Sequence, residues 1–466
     1  MSTTTPWPSS VFKAYDIRGI VPQQLNEDFA YKLGLTLAKK ARQSNVKTIV
    51  VGYDGRASSP SLSKSLQEGI LAGGINTADL GMVPTPVVYY ATNILKTGSG
   101  VAITGSHNPS NYNGFKIMMA GKTLHGPEIQ ALGANMQRLH ESPPSATSTN
   151  SRTTKHQLLD HYVSNICGHI KLDRPMKIAI DCGNGVGGVV AERLFKNLGC
   201  DVDTLFCDVD GSFPNHHPDP AVPENLADLI KHIKETDCEL GLAFDGDADR
   251  LGVVTKEGEI IWPDRQLILF ARDVLSRNTG QPIVFDVKCS RHVAKAIEES
   301  GGEPIMWQTG HSLIKAKMAQ INSPLGGEMS GHIFFSERWY GFDDGLYAGA
   351  RLLEILSRHK NPSEVLHNLP ADVSTPEIKM EMSEGEPHKL IKQLQEKGQF
   401  PLAKSINTID GVRAEYDFGF GLARASNTTP VVVLRFEANS QDDLDLIKNE
   451  FRKALIELEP KTNIPF

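Results

Sequence analysis

The chain lacks several features that would assign a protein to a class at once. It has no CxxC pair, and its six cysteines show no regular spacing of metal ligands, so we expect free thiols in a reducing compartment; they are Cys167, Cys182, Cys200, Cys207, Cys238 and Cys289. No apolar run approaches the roughly 18 residues that span a bilayer. The N-terminus, MSTTTPWPSS, has neither the basic nor the apolar segment of a secretion signal. These absences predict a cytoplasmic protein with no membrane partner.

A surplus of basic residues is also missing. The 48 Lys and Arg residues are outnumbered by 55 Asp and Glu residues, which gives a formal net charge of −7. Binding to nucleic acid requires an excess of cations on one face, because the phosphate backbone must be neutralised. We therefore expect no nucleic-acid partner, and an anionic ligand would need a local cationic pocket.

What is present is the composition of a globular α/β protein. Hydrophobic residues make up 40% and charged residues 22% of the chain, and 41 Gly with 27 Pro indicate many short turns. A length of 466 residues exceeds what one hydrophobic core supports. At roughly 150 residues per domain, about three domains are expected, and two or four remain open.

Short β-branched runs alternate with stretches of helical periodicity. The runs end at Gly- or Asp-rich corners and lie at Thr48–Tyr53, Gly100–Thr104, Met176–Ile180, Leu240–Phe244 and Pro282–Phe285. Helices are predicted at Tyr31–Arg42, Ser61–Gly73, Val189–Leu198 and Arg291–Ser300. This alternation predicts repeated βα units with largely parallel sheets, whose ligands bind at the carboxyl ends of the strands.

Three changes of pattern predict domain boundaries. The segment Glu141–Thr154 is rich in Ser, Thr and Pro, which is typical of a linker. Further boundaries are predicted near Lys256–Trp262 and near Asn368–Pro376. The remainder predicts a smaller α+β domain with strands at Glu377–Met382 and Val431–Glu437 and helices at Pro387–Lys397 and Asp442–Ile456.

Three carboxylates follow the apolar run Leu240–Phe244 in the sequence DGDADR. Small residues separate Asp245, Asp247 and Asp249, so a tight loop can turn all three inward as hard oxygen ligands for Mg²⁺ or Ca²⁺. An EF-hand is disfavoured, because its twelfth loop position needs a bidentate Glu and here carries Lys256. A metal-binding loop is predicted, with a solvated acidic turn as the alternative.

A serine in the sequence TGSHNP follows the run Gly100–Thr104. At this corner Ser106 can present its hydroxyl to an anion, which suits nucleophilic catalysis or phosphate binding. The second Gly of a G-x-S-x-G elbow is absent, which disfavours an acyl-transferring hydrolase. His107 is next to Ser106, but adjacent side chains usually diverge. Taken alone, the motif fits a structural turn as well as a catalytic one.

Two more motifs contain groups that suit a sugar phosphate. Arg424 precedes Ser426, Asn427 and Thr428, and a guanidinium among such side chains can clamp a phosphate, although a capped surface turn fits too. In the sequence GEMSGH, Glu328 and Ser330 can bond sugar hydroxyls, and His332 can move a proton or be structural.

Two patterns compete with this interpretation. Gly183–Gly188, GNGVGG, follows a strand and precedes a helix, and Asp203 lies about 20 residues beyond, which formally satisfies a dinucleotide-binding fingerprint. It leaves the other motifs unexplained, so an NAD-dependent oxidoreductase is the lesser alternative. His216 and His217 in NHHPDP favour a Pro-fixed loop over a metal site, because they lack i, i+4 spacing.

Taken together and in this order, the motifs resemble those of the α-D-phosphohexomutase family, most closely its bacterial phosphomannomutase/phosphoglucomutase branch. The resemblance runs from AYDIRG at 14–19 to the last helix. It implies an α/β fold of three related α/β domains with mixed, largely parallel sheets plus a C-terminal α+β domain like the TATA-binding protein, around a central cleft. The implied domains are 1–153 with the phosphoserine loop, 154–258 with the metal loop, 259–370 with the sugar loop and 371–466 with the phosphate loop.

The resemblance also implies roles for individual residues. Ser106 would be the phosphoserine and, with Asp245, Asp247 and Asp249, a metal ligand, and the catalytic set would be Ser106, Lys116, Arg18 and His332. The implied substrate-binding residues are Tyr15, Arg250, Arg265, Lys288, His311, Glu328, Met329, Ser330, Gly331, His332, Arg424, Ala425, Ser426, Asn427 and Thr428. His107 matches a position in the cleft, and Ala248 departs from the family, since many relatives carry Gly there.

The implied reaction interconverts hexose 1-phosphate and hexose 6-phosphate, for mannose and glucose. It would proceed through phosphoserine and a hexose 1,6-bisphosphate, with Mg²⁺ as cofactor and glucose 1,6-bisphosphate as activator. The expected partners are small hexose phosphates, and a monomer is expected. A non-catalytic sugar-phosphate sensor is the other alternative, because it would use the same clamp without Ser106.

Overall fold

The computed structural model describes residues 7–141, 150–427, 429–460 and 463–466, with only the backbone at 140 and 141. The strands are β1 Ile17–Ile20, β2 Thr48–Tyr53, β3 Asn76–Met82, β4 Gly100–Ile103, β5 Tyr112–Met119, β6 Lys122–Thr123, β7 Thr153–Lys155, β8 Lys177–Asp181, β9 Asp201–Leu205, β10 Leu240–Phe244, β11 Leu251–Thr255, β12 Ile260–Ile261, β13 Pro282–Asp286, β14 Glu303–Trp307, β15 Leu325–Gly327, β16 Ile333–Phe335, β17 Val373–Ser374, β18 Ile378–Glu381, β19 Ser405–Asn407, β20 Val412–Tyr416, β21 Gly419–Ala425 and β22 Val431–Ala438.

Helices fill most of the connections between these strands. They are α1 Glu27–Gln43, α2 Ser59–Ala72, α3 Thr85–Ile94, α4 Pro127–Glu141, α5 Leu159–His169, α6 Ala191–Asn197, α7 Ala227–Glu235, α8 Pro263–Leu275, α9 Arg291–Glu299, α10 His311–Ile321, α11 Gly345–Leu356, α12 Pro362–His367, α13 Glu386–Lys397 and α14 Gln441–Leu458. Among the residues that the structure describes, none of these helices combines the length and the apolar character needed to cross a lipid bilayer.

The chain divides into two compact units, each built from two separate stretches of sequence. The first unit contains Met1–Pro263 and Ser330–Asn368, and the second contains Asp264–Met329 and Leu369–Phe466. This division cuts across the third domain expected from the sequence, 259–370, because 330–368 belongs to the first unit.

Two mixed sheets organise the first unit. In one the strand order is β1-β5-β4-β2-β3-β7, and β2 is parallel to both β3 and β4. In the other the order is β12-β11-β10-β8-β9, and β8 is parallel to β9 and β10. The expected mixed, largely parallel sheets are therefore confirmed. Strands β4 and β10 lie inside their sheets, so the loops that follow them begin at buried carboxyl ends.

Close helix packing covers the first sheet. The apolar residues Phe29, Leu33 and Leu37 recur at every fourth position of α1 and are buried. At Gly34 an added Cβ would lie 2.2 Å from the carbonyl oxygen of Leu66, and at Gly69 it would lie 2.0 Å from that of Tyr31. These two glycines allow the backbones of α1 and α2 to touch, which brings α2 onto the sheet.

In the second unit, β13 is parallel to β14 and β15, so the carboxyl ends of these three strands lie at one edge. A separate antiparallel sheet has the order β17-β22-β21-β20-β19, with β18 also paired to β22. Helices α13 and α14 cover this sheet with buried side chains such as Leu394 and Phe451. The predicted C-terminal α+β segment is therefore confirmed.

Two local predictions differ from the structure. The helix expected at Val189–Leu198 is a 3₁₀ turn at Val186–Val189 followed by α6, because two consecutive glycines precede it. Part of the expected linker, 142–149, lies outside the described residues. Thr153 and Thr154 within that linker belong to β7, which pairs with β3, so the first sheet extends two residues beyond the expected boundary at 153.

Candidate active site

The loop after β4 holds Ser106 in a backbone conformation that few residues adopt. Its φ of +47° lies in the left-handed region, and its N–H donates to the hydroxyl oxygen of Thr104 at 2.8 Å. The side chain is 2% exposed. A strained, hydrogen-bonded turn of this kind fixes the direction of the hydroxyl.

Arg56 ties this loop to the neighbouring strand β2. Its guanidinium donates to the carbonyl oxygens of Ser106 (2.8 Å), Asn108 (2.6 Å), Pro109 (2.5 Å) and Tyr112 (2.9 Å). Arg56 lies just after β2, and no sequence motif indicated this role. Its role could have been inferred only from the sheet order, because β2 pairs with β4 and both strands end at the same edge.

Asp54 completes the support beneath the loop. Its carboxylate accepts the N–H of Gly105 at 3.1 Å, the Nε–H of Arg56 at 3.2 Å and the hydroxyl of Ser59 at 2.6 Å. Asp54 is buried, as are Arg56 and Ser59. A buried carboxylate with this many donors is satisfied without a metal, so Asp54 acts as a support.

The loop between β10 and β11 turns three carboxylates inward. Asp245 Oδ1 accepts the backbone N–H groups of Asp249 (3.1 Å) and Arg250 (3.2 Å), which closes the loop on itself. The side chains of Asp245, Asp247 and Asp249 are all 0% exposed. Ala248 stands between the second and third carboxylates at φ +60°, a left-handed backbone conformation that favours glycine.

The structure brings the serine loop and the carboxylate loop together. Ser106 Oγ donates to Asp245 Oδ2 at 2.9 Å, and Thr85 Oγ donates to Asp247 Oδ2 at 2.6 Å. Lys116, on β5, donates to Asp247 Oδ2 at 2.7 Å and also to Asp249 Oδ2. Thr85, at the start of α3, is a contact that the sequence did not indicate. The three carboxylates therefore form a buried cluster, which excludes the alternative of a solvated acidic turn.

Burial and the neighbouring charges shift the pKa values of these carboxylates in different directions. Burial raises the pKa of Asp245 well above its usual range, and the charges of Asp247 and Asp249 add to the effect. Burial acts the same way on Asp249, but Lys116 and His332 outweigh it and hold its pKa well below the usual range. Burial alone would lower the pKa of Lys116, yet Asp247 and Asp249 raise it.

The cluster fits a divalent metal ion. One ligand atom from each of Asp245, Asp247 and Asp249 lies within 4.8 Å of the others. Asp247 Oδ1 is buried and has no hydrogen-bond partner within the described part of the chain. A buried carboxylate oxygen without a donor is costly unless a cation satisfies it, and an all-oxygen set suits a hard cation such as Mg²⁺.

A second set of side chains flanks the carboxylates. His332 Nε2 lies 3.2 Å from Asp249 Oδ1 and accepts from Arg250 Nε at 3.3 Å, and His332 Nδ1 lies 3.0 Å from Ser330 Oγ. Gly331, at φ +101°, lets the chain reach Arg250. Ser330, His332 and Arg250 therefore meet at the cluster.

His107 does not diverge from Ser106, contrary to our expectation for adjacent side chains. Its Nδ1 lies 3.2 Å from Ser106 Oγ. Burial lowers the pKa of His107 well below its usual range, and Arg250 and Arg18 reinforce the effect. The left-handed backbone at Ser106 explains the geometry, because it turns both side chains to the same side.

Arg18 reaches the serine loop from β1. It donates to the carbonyl oxygen of Gly105 at 2.9 Å and to the side chain of Asn108, and it is paired with Asp16. Tyr15 lies just before β1 and is half-buried. The segment AYDIRG therefore lies at and just before β1, which pairs with β5, the strand that follows the Ser106 loop.

In the second unit, predicted residues collect at the carboxyl ends of β13, β14 and β15. Asp286 accepts from Thr309 Oγ at 2.9 Å and from Met329 N at 3.1 Å, and Glu328 accepts from Gly310 N at 2.5 Å. His311 begins α10 next to Gly310 and is 7% exposed. The parallel strands explain why these residues lie together. The boundary between the two units divides the GEMSGH segment after Met329, because Ser330 belongs to the first unit.

Lys288 lies beside the same edge. Its Nζ donates to Glu377 Oε1 at 2.6 Å and lies 4.0 Å from Asp286 Oδ2. Burial opposes ionisation of Glu377, but Lys288 prevails and lowers the pKa of Glu377 to about 2. Glu377 and Asp286 were not predicted as site residues. Only the folded structure reveals Glu377, because it is 89 residues away from Lys288.

Arg424 and the turn after it lie at the end of β21. Arg424 Nε donates to Asp410 Oδ2 at 3.0 Å, and the same oxygen accepts the N–H of Thr309 at 2.9 Å. Ala425 ends the strand, and Ser426 Oγ lies 3.0 Å from Thr429 Oγ. Asn427 follows within this turn, and the predicted Thr428 lies outside the described residues.

Arg265 lies in a different environment. It donates to the carbonyl oxygen of Leu369 at 3.1 Å, and its N–H donates to Asp264 Oδ1 at 2.9 Å. It is 8% exposed and sits in the first turn of α8. Within the second unit, these contacts are those of a residue that holds the chain near 369 in place.

The competing patterns have structural explanations. The Gly183–Gly188 loop packs on the carboxylate loop, because Val186 N donates to the carbonyl oxygen of Gly246 at 3.1 Å. An added Cβ at Gly185 would lie 2.9 Å from that oxygen. His216 Nε2 lies 3.0 Å from Asp181 Oδ2. The glycine loop therefore supports the carboxylates.

The chain is similar to known proteins along most of its length. Four family models match in order along the chain: phosphoglucomutase/phosphomannomutase alpha/beta/alpha domain I at residues 9–142, domain II at 159–258, domain III at 262–373 and the C-terminal domain at 377–454. The fold and the site define a multidomain α/β enzyme in which a serine hydroxyl contacts a buried carboxylate cluster. The chain belongs to the phosphoglucomutase/phosphomannomutase family, and its activity is that of a phosphohexomutase.

Individual relatives are similar over almost the whole chain. A phosphoglucomutase of Neisseria meningitidis is 56% identical over 451 residues, which cover 97% of each chain. A phosphomannomutase/phosphoglucomutase of Pseudomonas aeruginosa is 50% identical over 460 residues, 98% of each chain. A crystal structure of a phosphoglucomutase/phosphomannomutase family protein from Burkholderia thailandensis is 51% identical, covers 99% of this chain and 100% of its own, and has a TM-score of 0.93.

Proposed function

We propose that the chain interconverts the 1-phosphates and 6-phosphates of glucose and mannose, with Ser106 as the phosphoryl carrier. The observation that carries this proposal is the hydrogen bond of 2.9 Å from Ser106 Oγ to Asp245 Oδ2. It puts the hydroxyl of Ser106 at the edge of a buried carboxylate cluster that fits a metal ion. The proposed specificity for glucose and mannose rests on the similarity to the phosphoglucomutase of Neisseria meningitidis and the phosphomannomutase/phosphoglucomutase of Pseudomonas aeruginosa.

The proposed reaction consists of two phosphoryl transfers. In the first, the bond between phosphorus and Ser106 Oγ breaks, a bond forms between phosphorus and the free sugar hydroxyl, and the hydroxyl proton leaves to a base. The product is a hexose 1,6-bisphosphate. The second transfer reverses these steps with the other phosphate of the bisphosphate, so that Ser106 is phosphorylated again. Glucose 1,6-bisphosphate is therefore the proposed activator, because it phosphorylates an empty Ser106.

Asp245, Asp247 and Asp249 are the proposed Mg²⁺ ligands, together with an oxygen carried on Ser106. The bound ion would supply charge stabilisation for the transferring phosphoryl group. Lys116 and Arg250 add positive charge at the same place, since each lies within 4.0 Å of a member of the carboxylate cluster. Side chains in fixed positions therefore help to stabilise the negative charge of the transferring phosphoryl group.

Lys116, Arg18 and His332 are proposed to handle the proton of the sugar hydroxyl. Each lies beside the serine loop or the carboxylate loop: Arg18 contacts Gly105, Lys116 contacts Asp247 and His332 contacts Asp249. His332 is the only one of the three with a ring nitrogen that can both accept and donate near neutral pH. Tyr15, just before the strand of Arg18, is proposed to contact the substrate.

Residues of the second unit are proposed to bind the parts of the substrate that do not react. Glu328 has a carboxylate suited to sugar hydroxyls, and Met329 follows it in the same loop. Lys288 and His311 can bind phosphate or ring oxygens. The non-reacting phosphate is assigned to the turn after β21, through Arg424, Ala425, Ser426, Asn427 and Thr428. Arg265 is the weakest member of this group, because its contacts hold the chain at Leu369.

Substitution of Ser106 tests the carrier role. We expect Ser106→Ala to lose mutase activity with glucose 1-phosphate, Mg²⁺ and glucose 1,6-bisphosphate present. After incubation with the bisphosphate, mass spectrometry should find one phosphate on the wild-type peptide that contains Ser106 and none on the variant. Ser110→Ala, an exposed serine of the same loop, is the matched control and should retain both. Wild-type turnover in Ser106→Ala would refute the proposal.

Sugar preference requires a separate measurement. We expect comparable turnover of glucose 1-phosphate and mannose 1-phosphate and slower turnover of glucosamine 1-phosphate under identical Mg²⁺ and activator concentrations. A marked preference for the glucosamine substrate would contradict the assignment.

We infer a monomeric, cytoplasmic enzyme without a nucleic-acid partner, because the six cysteines are free thiols and the net charge is −7. Four domains, 1–153, 154–258, 259–370 and 371–466, are proposed as evolutionary modules. Sedimentation analysis with and without glucose 1-phosphate would test the monomer.

A further inference from the structure

A cluster of three metal-binding side chains lies on the second sheet of the first unit, outside the proposed active site. Asp203 belongs to the edge strand β9, His232 to α7, and Cys238 precedes β10. His232 Nε2 lies 2.9 Å from Asp203 Oδ2, and Cys238 Sγ lies 3.4 Å from the same oxygen. All three ligating atoms lie within 4.8 Å of one another.

These donors and separations match a tetrahedral zinc site. A thiolate, an imidazole and a carboxylate are typical zinc ligands, with bonds of about 2.3, 2.0 and 2.0 Å. In a tetrahedron these lengths give about 3.3 Å between the nitrogen and the oxygen and about 3.5 Å between the sulfur and the oxygen. The observed 2.9 and 3.4 Å differ from these by a few tenths of an ångström, which side-chain rotation can supply.

The surroundings leave room for one more ligand and favour a cation. Cys238 is fully buried, while the side chains of Asp203 and His232 are 29% and 32% exposed, so the open side of the cluster faces solvent. Two cations are nearby: Lys177 Nζ lies 2.5 Å from Asp237 and 4.0 Å from Asp201, and Lys256 Nζ donates to the carbonyl oxygens of Ile233 and Thr236. The carboxylates of Asp201, Asp203 and Asp237 outnumber these two ammonium groups, so the local charge is negative.

We propose that Asp203, His232 and Cys238 form a zinc-binding site, with a water molecule as the fourth ligand. Zinc there joins β9, α7 and the start of β10, which are otherwise linked at this point by one His–Asp contact and one thiol hydrogen bond. Asp203 was the acidic residue of the formal dinucleotide fingerprint. Its carboxylate is engaged by the imidazole and the thiol instead.

Cobalt substitution provides a test that reports on sulfur directly. Co²⁺ is titrated into the reduced, full-length protein in excess Mg²⁺, which occupies the oxygen-only cluster of the active site. We expect a sulfur-to-metal charge-transfer band that saturates at one equivalent. Cys238→Ser should abolish it. Cys207→Ser should retain it, and this is the matched control because Cys207 lies outside the cluster, 3.4 Å from Cys182.

Zinc affinity provides the second readout. We expect His232→Ala to bind Zn²⁺ at least about tenfold more weakly, since even indirect partners of a metal contribute that much. This variant keeps the thiol and changes a partly exposed helical position, so it is expected to fold. Zn²⁺ should raise the Tm of the wild type and not that of His232→Ala. The proposal is overturned if the wild type gives no band, if the band persists in Cys238→Ser, or if Zn²⁺ stabilises His232→Ala as much as the wild type.

Discussion

Arg56 shows how much of the active-site geometry depends on a residue that takes no part in the chemistry. It is 1% exposed, and its guanidinium is shared among four carbonyl oxygens of the segment 106–112. An arginine can do this because its planar group carries five donors, whereas a lysine has one nitrogen. The left-handed conformation of Ser106 therefore depends on a side chain from another strand.

Replacing Arg56 by Lys should disorder the serine loop. We expect a free energy of unfolding lower by about 3 kcal/mol, because several carbonyls and Asp54 lose their buried partner. We also expect a kcat at least tenfold lower with a smaller change in KM, since the reacting hydroxyl loses its alignment. Urea unfolding and steady-state kinetics measure both effects. Arg42→Lys, at an exposed position of α1, is the matched control. Unchanged kinetics in Arg56→Lys would show that the serine loop keeps its conformation without the Arg56 guanidinium.

Asp344 is a buried carboxyl group whose ionisation affects stability. It caps α11 by accepting Tyr347 N at 2.9 Å and also accepts Tyr162 OH at 2.8 Å and Trp339 Nε1 at 3.1 Å. Burial raises the pKa of Asp344 to about 7, although these donors oppose the shift, and the charge of Asp343 adds to it. In the unfolded chain the pKa of an aspartate is about 3.9.

A pH dependence of stability follows from Asp344. Between about pH 4 and pH 7 the folded state holds a proton that the unfolded state has lost, so the free energy of unfolding falls as the pH rises. Asp344→Asn keeps the side-chain oxygen that caps α11 but removes the carboxyl group that ionises. The stability difference between wild type and variant should change by up to about 1.4 kcal/mol per pH unit in this window. Urea unfolding at several pH values measures it, with Asp442→Asn as control; a constant difference would exclude the role.

At the scale of elements, the β10–β11 hairpin is held closed without a metal. Asp245 accepts two backbone N–H groups of its own loop, and the ammonium group of Lys116 on β5 bridges Asp247 and Asp249. The lysine therefore neutralises part of the charge that the metal would otherwise neutralise alone. Folding of the hairpin and binding of the metal are separable for this reason.

Lys116→Met should make the hairpin depend on the metal. Without magnesium we expect a Tm lower by on the order of 10 °C, because two buried carboxylates lose their partner. Mg²⁺ should then raise the Tm of the variant more than that of the wild type. Differential scanning calorimetry with Mg²⁺ or with a chelator measures this. Lys122→Met, at an exposed position of β6, controls for loss of a surface cation. Equal Mg²⁺ effects on both proteins would contradict the proposed bridge.

Local pattern was sufficient to predict most of the elements that carry the site. Thr48–Tyr53 and Leu240–Phe244 are strands with the predicted bounds, because β-branched runs end at Gly- or Asp-rich corners. The serine and carboxylate loops were predicted for the same reason. Arg56, Thr85 and Glu377 were not, since their roles depend on which strands and helices are neighbours, and a single sequence does not contain the strand order.

At the scale of the whole molecule, the first unit is not continuous in sequence. It includes α11, in which every residue from Gly345 to Leu356 is buried. An added Cβ at Gly349 would lie 3.1 Å from Phe195 and 3.3 Å from Leu242, so this helix packs on α6 and β10. No local signal marks such a return of the chain, which is why the sequence predicted consecutive domains.

Truncation tests this arrangement. A fragment of residues 1–263 should lack a cooperative thermal transition and bind the dye ANS, because the surface that α11 covers would be exposed. A fragment of residues 1–368 contains the whole first unit and should melt cooperatively. Circular dichroism and ANS fluorescence distinguish the two. Cooperative melting of 1–263 would show that α11 is dispensable.

The return of the chain also sets a delay during synthesis. Between Pro263, where the first stretch of the unit ends, and Asn368, where the second ends, lie 368 − 263 = 105 residues. At roughly 5 to 20 residues per second, a ribosome needs about 5 to 20 s to make them. During that interval, the apolar surface of β10 and α6 lacks α11, which covers it in the folded protein. The nascent chain is therefore most exposed to aggregation, and most in need of a chaperone, while the ribosome translates the residues between the two stretches of the first unit.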